Sequence, residues 1–419
     1  MASSGGDKLG LYISIPFCRS KCTYCNFASG VYPASEHDRY VNRVIEDLRA
    51  SRNWAGEIGV RLPQRVDTIY LGGGTPSLLE PELISRLFAA IHAEFKVEKS
   101  AEITVECAPG QLGDATLEAL GRAGVSRISL GVQSFVDREA QVSGRLHSRA
   151  IVLDDLRRLR ASGFTNLNLD LIAGLAGQTF ASWQESLAVL IDTGVPHASV
   201  YMLEVDEDSR LGREMLAGGV RYRADLVPSD EAIAQMYETA IARFAGAGLG
   251  QYEISNFARE GFVSRHNLRY WLRRPYLGVG LDASSALDAV ESTNLPRKRS
   301  LSDYVLRSKT TENLKAYLAG AEPVETAWLS PDSQHEEAWF LGLRLNDGIN
   351  ISALRREFGP QPVARALEAV GRLEQDGLVE TDGKMVRLTP RGRLLSNEVF
   401  QEFLGAASMT DTLMESAAT

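Results

Sequence analysis

Three cysteines follow one another closely near the start of the chain: Cys18, Cys22 and Cys25, in the segment IPFCRSKCTYCNF. Spacings this short allow one compact loop to bring three thiolates to a common metal centre. An iron–sulfur cube with a thiolate on every iron needs one more cysteine, so three thiolates leave one iron open to a non-protein ligand. Zinc is the alternative, because Cys₃His is a common structural set. Zinc ligands usually come as two pairs from separate hairpins, however, and this sequence has no second cysteine pair.

A second motif, the run from Gly72 to Pro76 (GGGTP), ends a strand-like segment. Glycines without side chains let the backbone approach a ligand closely. The run lacks the Lys-Ser/Thr pair of a phosphate-binding loop, which argues against a nucleoside triphosphate site. A tight strand-to-helix turn is the simpler interpretation of the motif.

These motifs need a folded scaffold, and the composition provides for one. The chain has 419 residues, of which 44% are hydrophobic, and its net charge is −9. This balance argues against disorder and against a protein that mainly coats nucleic acid or anionic membrane. The first residues, MASSGGDKLG, show no signal peptide, and no run approaches the length of a membrane span. Four cysteines do not form a disulfide framework, so we expect a reducing, cytoplasmic setting.

Short apolar runs alternate with helical patterns through the first half of the chain, which predicts βαβ units and a parallel α/β sheet, either open or closed into a partial or full barrel. In each case ligands gather at the carboxyl ends of the strands. The predicted strands are Leu11–Phe17, Asp67–Gly72, Ala101–Cys107, Arg127–Gln133, Asn166–Leu171 and Ala198–Leu203. The predicted helices are Glu36–Arg52, Pro81–Phe95, Asp114–Ala123, Ala150–Ala161 and Phe180–Thr193.

The pattern changes after Val205. The segments predicted there are a polar crossover (Asp206–Arg223), a helix (Ser229–Ala247), two strands (Tyr252–Phe257 and Tyr276–Val279), a helix (Leu301–Leu318), a linker (Gly320–Pro331), and a C-terminal part with helices and a hairpin, Leu378–Leu388, that turns at Asp382–Gly383. We expect four regions: a disordered N-terminus (1–10), a barrel core (11–205), a barrel extension (206–320), and a C-terminal winged-helix-like domain with a flexible tail (321–419).

The cysteine triad, with aromatic Tyr24 before its third member, and the glycine-rich run after the second strand resemble a radical S-adenosylmethionine protein. The resemblance implies a partial (β/α)₆ barrel and a [4Fe–4S] cluster on Cys18, Cys22 and Cys25. It also implies that the amino and carboxylate groups of S-adenosylmethionine chelate the open iron, and that an electron from the cluster can cleave this cofactor to an adenosyl radical.

Longer segments narrow the resemblance to the group that contains oxygen-independent coproporphyrinogen oxidase and the HemW-type haem chaperones. The segments, in chain order, are LYISIPFC, LGGGTPS, ITVECAPG, ISLGVQSF, NLDLIAGLAGQT and YEISNFA…SRHNLRYW. Carried over residue by residue, the cofactor contacts implied by the resemblance fall on Tyr12, Tyr24, Gly73, Gly74, Thr75, Glu106, Gln133, Arg145 and Asp170. Their side chains offer acceptors for hydroxyl and ammonium groups and a guanidinium for a carboxylate.

Two absences favour the chaperone over the oxidase, and so does the C-terminal segment that begins LGLRLNDGINISALRREFG. In the oxidase the third cluster cysteine is followed by Gly-Cys, whereas here it is followed by Asn26-Phe27. The oxidase also has a longer segment before its first strand. The resemblance to the chaperone implies haem as cargo and a recipient haemoprotein, which could be respiratory and membrane-associated. The alternative is radical decarboxylation of porphyrinogen propionates.

His266, in HNLRYW, is the candidate axial haem ligand, with a hydrogen-bonded structural histidine as the alternative. The family's Gly-Pro-Gly-Ala-His-Ser reads GLDASS from Gly280 to Ser285 here, so a second histidine is missing. Cys107 is expected to be a buried packing residue.

The tail resembles a winged helix, with helices at Ile351–Phe358 and Val363–Asp376. Residues 349–404 contain eight Lys or Arg and eight Asp or Glu. A DNA reader should carry a positive excess, so we expect a lid or interaction domain and no nucleic-acid partner.

Overall fold

The computed structural model describes residues 8–290, 303–320 and 325–404. Two short 3₁₀ helices occupy Pro76–Leu78 and Ala224–Leu226. The strands of the described residues are β1 Lys8–Ile15, β2 Arg65–Gly73, β3 Lys96–Cys107, β4 Arg127–Gln133, β5 Asn166–Ala173, β6 His197–Met202, β7 Gly250–Glu253, β8 Asn256–Ala258, β9 Tyr276–Val279, β10 Ser284–Asp288, β11 Val305–Lys309, β12 Glu325–Leu329, β13 Ile349–Asn350, β14 Val379–Thr381 and β15 Met385–Leu388.

The helices of the described residues are α1 Ala34–Ile58, α2 Pro81–Glu94, α3 Asp114–Arg122, α4 Asp137–Val142, α5 Arg149–Ala161, α6 Phe180–Thr193, α7 Arg210–Ala217, α8 Asp230–Gly246, α9 Arg265–Trp271, α10 Leu314–Ala319, α11 Pro331–Gly342, α12 Ile351–Phe358, α13 Pro360–Gln375, α14 Pro390–Leu394 and α15 Ser396–Gln401. None of these helices has the length and hydropathy that crossing a membrane would require.

The first six strands form a parallel sheet in chain order, and a helix lies in each connection between them. Antiparallel strands extend this sheet beyond β6, while β9 pairs in parallel with β1 and is followed by antiparallel β10, β11 and β12. The described strands have the order β12-β11-β10-β9-β1-β2-β3-β4-β5-β6-β8-β7, so the sheet ends at β12 and β7. The predicted α/β class with a partial (β/α)₆ barrel is confirmed.

The helices pack on the outer face of the sheet through apolar residues at helical spacing. On α2, for example, Leu83, Leu87 and Ile91 recur every fourth residue and are buried in the main hydrophobic core. α6 matches its predicted bounds because its ends carry clear signals. Thr179 and Ser182 form a capping box at its start, and Gly194 ends it in the left-handed region with φ 67°.

Three predictions for the second half of the chain were wrong. The strand predicted at Tyr252–Phe257 is a hairpin of two strands, β7 and β8, because β8 pairs with both β6 and β7. The helix predicted at Leu301–Leu318 begins outside the described residues and contains strand β11, with helix only in α10. β11 is a strand because it pairs on both sides, with β10 and β12, and buries Leu306.

The predicted linker Gly320–Pro331 contains β12, which pairs with β11 over its whole length. We therefore propose that the C-terminal domain begins after β12 rather than at residue 321. The predictions for the N-terminus and the tail concern residues 1–7 and 405–419, which lie outside the described residues. β1 already begins at Lys8.

The C-terminal domain has its own hydrophobic cluster. Trp339 is fully buried there and stacks on Phe403, with ring centroids 4.9 Å apart. Helices α12 and α13 precede the hairpin of β14 and β15, as in the predicted winged helix. Ile254 of the barrel extension belongs to this cluster, which joins the domain to the barrel.

A buried ion pair fastens α9 to the sheet. The Arg269 side chain is 2% exposed and binds the carboxylate of Asp67 on β2. It also donates to the carbonyl of Pro275 at 2.9 Å and that of Lys8 at 3.3 Å. One guanidinium therefore holds α9, β1, β2 and the chain before β9 together.

We expect Asp67→Ala to lower the free energy of unfolding by about 3–5 kcal/mol, because it leaves a buried guanidinium without its carboxylate. Urea unfolding monitored by circular dichroism measures the change. Asp154→Ala is the matched control, since the Arg157–Asp154 pair is exposed and its loss should change little. Equal effects of the two substitutions would refute the anchoring role of the buried pair.

Candidate functional site

The three cysteines lie on the loop that follows β1, and all are free thiols. The loop is fixed by bonds along its length. The Cys18 N–H donates to the carbonyl of Gly30 at 2.8 Å, and the Thr23 N–H donates to the carbonyl of Ser143 at 3.1 Å. The Ser20 hydroxyl donates to the carbonyl of Gly144 at 2.9 Å. The chain after β4 therefore supports the cysteine loop.

Each thiol has a polar neighbour. The Arg145 guanidinium nitrogen Nη1 lies 3.6 Å from the sulfur of Cys22, the Thr75 hydroxyl lies 3.9 Å from that of Cys18, and the Ser29 hydroxyl lies 3.9 Å from that of Cys25. Burial raises the pKa of Cys18. Across residues 8–290, 303–320 and 325–404, no three His, Cys, Asp or Glu side chains are arranged like the ligands of a single metal ion.

The glycine-rich run lies against the base of the cysteine loop. The Gly74 N–H donates to the carbonyl of Ile15 at 2.8 Å, and the Thr75 N–H donates to that of Phe17 at 2.7 Å. A Cβ atom at Gly74 would lie 2.8 Å from backbone atoms of this loop, so any side chain would push the two loops apart. The glycine is therefore required by close backbone contact.

Two carboxylates lie on β3 and β5. Glu106 is the last residue but one of β3, and Asp170 lies three residues before the end of β5. Glu106 accepts from the Tyr70 hydroxyl at 2.7 Å and from the Gly73 N–H at 3.2 Å. Burial raises the pKa of Glu106 to about 7, although the Tyr70 hydrogen bond opposes the shift. Asp170 accepts from the Asn168 amide at 2.7 Å and from the Ser129 hydroxyl at 3.2 Å, and burial raises its pKa as well.

Gln133, at the end of β4, has an unusual backbone conformation and an unused acceptor. Its φ is 69°, in the left-handed region that non-glycine residues rarely occupy, and a register shift precedes it. Its side-chain oxygen is buried and has no hydrogen-bond partner among the described residues. Strain and an unpaired acceptor at one residue are typical of a ligand site.

These groups share one cavity of about 620 Å³. It is lined by eleven of the predicted site residues: Cys18, Cys22, Tyr24, Cys25, Gly73, Gly74, Thr75, Glu106, Gln133, Arg145 and Asp170. Tyr12 does not line it. The Tyr12 ring lies 6.2 Å from that of Tyr70, so Tyr12 lies behind the residue that binds Glu106.

His266 is also outside this cavity. Its side chain is fully buried on α9, and its ring nitrogens Nδ1 and Nε2 lie 2.9 Å from the Thr68 hydroxyl and 2.8 Å from the Tyr270 hydroxyl. Burial lowers the pKa of His266 to about 3, so the ring is neutral. The predicted axial-ligand role does not match this environment, because neither nitrogen is free. The structural alternative agrees with it.

Several cavity residues were missed by the sequence analysis. Arg344, Ser396 and Asn397 come from the C-terminal domain, and Tyr237 comes from α8. Arg344 lies in the segment LGLRLNDG, which carries part of the resemblance, but nothing local to that segment indicates which wall it would face.

Comparisons with known proteins agree over nearly the whole chain. The sequence matches the Radical SAM superfamily over residues 12–190 and the HemN C-terminal domain over residues 329–395. The "Heme chaperone HemW" of Lactococcus lactis is 33% identical over 94% of this chain and 96% of its own length. That of Bacillus subtilis is 32% identical over 94% and 98%.

One similar solved structure is that of coproporphyrinogen III oxidase (HemN) from Escherichia coli. Its TM-score is 0.78 with 23% sequence identity, and the match covers 96% of this chain and 91% of that one. At this identity the likeness shows a shared fold.

Substituting any of Cys18, Cys22 or Cys25 by alanine should abolish cluster assembly, because each would supply one of only three thiolates. Each variant is reconstituted under anoxia with ferrous iron and sulfide. Iron and sulfide analysis and absorption spectroscopy then measure how much cluster has assembled. Cys107→Ala is the matched control. Cys107 is buried, burial raises its pKa to about 12, and we expect this variant to keep the cluster. A full cluster in any of the three triad variants would show that the substituted cysteine is not a cluster ligand.

Proposed function

The chain belongs to the HemW family of the radical SAM superfamily, and we propose that it is a haem chaperone, which binds haem and delivers it to haemoproteins. The observation that carries the proposal is the similarity to curated haem chaperones along almost the full length of both chains. Membership of the superfamily also implies a [4Fe–4S] cluster and S-adenosylmethionine.

We propose that Cys18, Cys22 and Cys25 hold the cluster. They are the free thiols of one loop, each with a polar side chain near its sulfur, and they share a cavity with the glycine-rich run. When bound, such a cluster supplies an iron open to a chelating ligand and an electron for reductive chemistry.

The same cavity contains hydrogen-bond acceptors and a cation that are complementary to the polar groups of S-adenosylmethionine. Glu106, Asp170 and the unpaired oxygen of Gln133 are acceptors for its ammonium and hydroxyl groups. Arg145, next to Cys22, is a cation for its carboxylate beside the cluster. Gly74 lets the glycine-rich run lie directly against the cysteine loop, where a side chain would push the two apart.

The alternative is a coproporphyrinogen oxidase, which the fold of HemN would allow. The chain lacks the Gly-Cys that follows the third cluster cysteine in the oxidase and has Asn26-Phe27 instead. Phe27 is 63% exposed at the cavity wall, as is Leu146. Exposed apolar side chains there suit the face of a haem macrocycle. A respiratory, membrane-associated recipient and a cytoplasmic location stay predictions from the resemblance.

One experiment separates the two functions. We expect the reconstituted protein to bind haemin in a one-to-one complex with a shifted Soret band. With coproporphyrinogen, S-adenosylmethionine and reductant under anoxia, we expect no decarboxylated product by chromatography. Coproporphyrinogen oxidase serves as the positive control for turnover. Product formation, or failure of haemin binding to saturate at one equivalent, would overturn the chaperone assignment.

The same titration tests His266. Because both ring nitrogens are engaged inside the fold, we expect His266→Ala to keep the haemin spectrum while unfolding at a lower temperature. A lost or shifted Soret band would restore the axial-ligand prediction and would require α9 to open when haem binds.

Affinity for S-adenosylmethionine should rise as the pH rises through about 7, the pKa to which burial raises Glu106. Below this pH the carboxyl is protonated and is a poorer acceptor, whereas above it the carboxylate accepts hydrogen bonds from the ligand. Glu106→Gln should bind about 10-fold more weakly and lose this pH dependence. Anoxic calorimetry over a pH series measures both effects, with exposed Glu118→Gln as the control. An unchanged pH profile in Glu106→Gln would contradict the contact.

A further inference from the structure

Arg344 reaches the cavity from the C-terminal domain, on the chain that follows α11. Its backbone is fastened to the barrel extension. The Arg344 carbonyl accepts from the Ile254 N–H at 3.1 Å, and the Asn346 N–H donates to the carbonyl of Tyr252 at 3.0 Å. The Asn346 side chain donates to the carbonyl of Gln251 at 2.8 Å. These bonds fix where the Arg344 side chain starts.

The guanidinium of Arg344 is held in place by one ring and forms a long ion pair with buried Glu253. Its central carbon lies 4.2 Å from the centroid of the Trp271 ring, a cation–π contact that orients the plane. Its Nε is buried and has no hydrogen-bond partner among the residues that the structure describes. The carboxylate of Glu253 is 3.9 Å from Nη2, beyond hydrogen-bond distance. A guanidinium has five N–H donors, so most of these remain available to a ligand.

The surroundings of Arg344 differ from those of the cluster. Ser396 and Asn397 line the same wall and add hydroxyl and amide donors. The wall formed by the strand ends carries the carboxylates of Glu106 and Asp170 instead. A ligand with anionic groups is therefore bound more favourably with those groups toward the C-terminal domain than toward the strand ends.

We propose that Arg344 binds a propionate carboxylate of the haem cargo, with Ser396 and Asn397 as neighbouring donors. This inference rests on the proposed haem-binding function. S-adenosylmethionine also has a carboxylate, but Arg145 lies beside Cys22 and takes that role next to the cluster. Haem has an apolar macrocycle and two carboxylates, which matches a cavity with exposed Phe27 and Leu146 on its wall and an oriented guanidinium at the domain junction.

The test compares haemin with haemin dimethyl ester, in which the propionates are neutral, on the full-length protein. We expect Arg344→Gln to weaken haemin binding about 10- to 100-fold, the usual effect of losing a hydrogen bond to a charged group. The affinity of Arg344→Gln for the dimethyl ester should stay within about 2-fold of the wild-type affinity for the ester. Arg344→Lys keeps the positive charge but loses the planar guanidinium. Its affinity for haemin should lie between those of wild type and Arg344→Gln. Arg356→Gln, on an exposed face of α12, is the charge-matched control.

The outcomes separate this inference from the function on which it rests. Equal haemin affinity in Arg344→Gln and wild type overturns the propionate site and leaves the chaperone proposal standing. Absence of haemin binding by wild type overturns both. Weakened S-adenosylmethionine binding with unchanged haemin binding assigns Arg344 to the other ligand and overturns the inference. If Arg344→Gln does not fold, the ester on wild type decides, since equal affinity for haemin and its ester excludes a propionate contact.

Discussion

β1 and β2 pair in parallel until Ile15 lies opposite Gly73, and both chains leave the sheet at that point. The next backbone groups bond across the gap, from Gly74 to Ile15 and from Thr75 to Phe17. This register delivers the cysteine loop and the glycine-rich run to the same place, and the rest of the site depends on it. A shift of one residue would exchange the two faces of β2 and separate the Tyr70 hydroxyl from Glu106. The pairing of β1 with β2 thus determines where the two loops that line the cavity lie.

Next to Asp170 the barrel buries a network of polar side chains that are hydrogen-bonded to one another. His197 is fully buried, with Nδ1 2.6 Å from the Asn168 side-chain oxygen and Nε2 2.9 Å from the Tyr252 hydroxyl. Asn168 in turn donates to Asp170, which is a cavity residue. Buried polar groups are tolerated when nearly all are paired, and a paired network holds its members in one geometry. The position of Asp170 is therefore set in part by Asn168 and His197, which do not line the cavity.

The sequence predicted best where the signal was local. Helix α6 had a capping box and a terminal glycine, and the cysteine triad had its spacing. It predicted poorly where pairing decides the structure. β11 and β12 are strands because each finds an antiparallel neighbour, and the intervening chain does not reveal that neighbour. His266 was selected as a candidate because of its motif, but Thr68 and Tyr270 enclose it from distant and adjacent parts of the chain. Arg344 was missed for the same reason, since its role comes from the packing of one domain against another.

One wall of the cavity belongs to a domain with its own hydrophobic cluster, joined to the barrel by the segment around Ile254 and by ion pairs such as Arg273–Glu357. Occupancy of the cavity and adhesion of that domain are then thermodynamically linked. A ligand that bridges both walls makes detachment of the domain more costly. Suppose that a second protein binds the detached domain more tightly than the docked one. By reciprocity, this protein lowers the affinity for the ligand by the same factor by which the ligand lowers the affinity for the protein. Unloading then needs no separate energy source, only a receiver that favours the open arrangement.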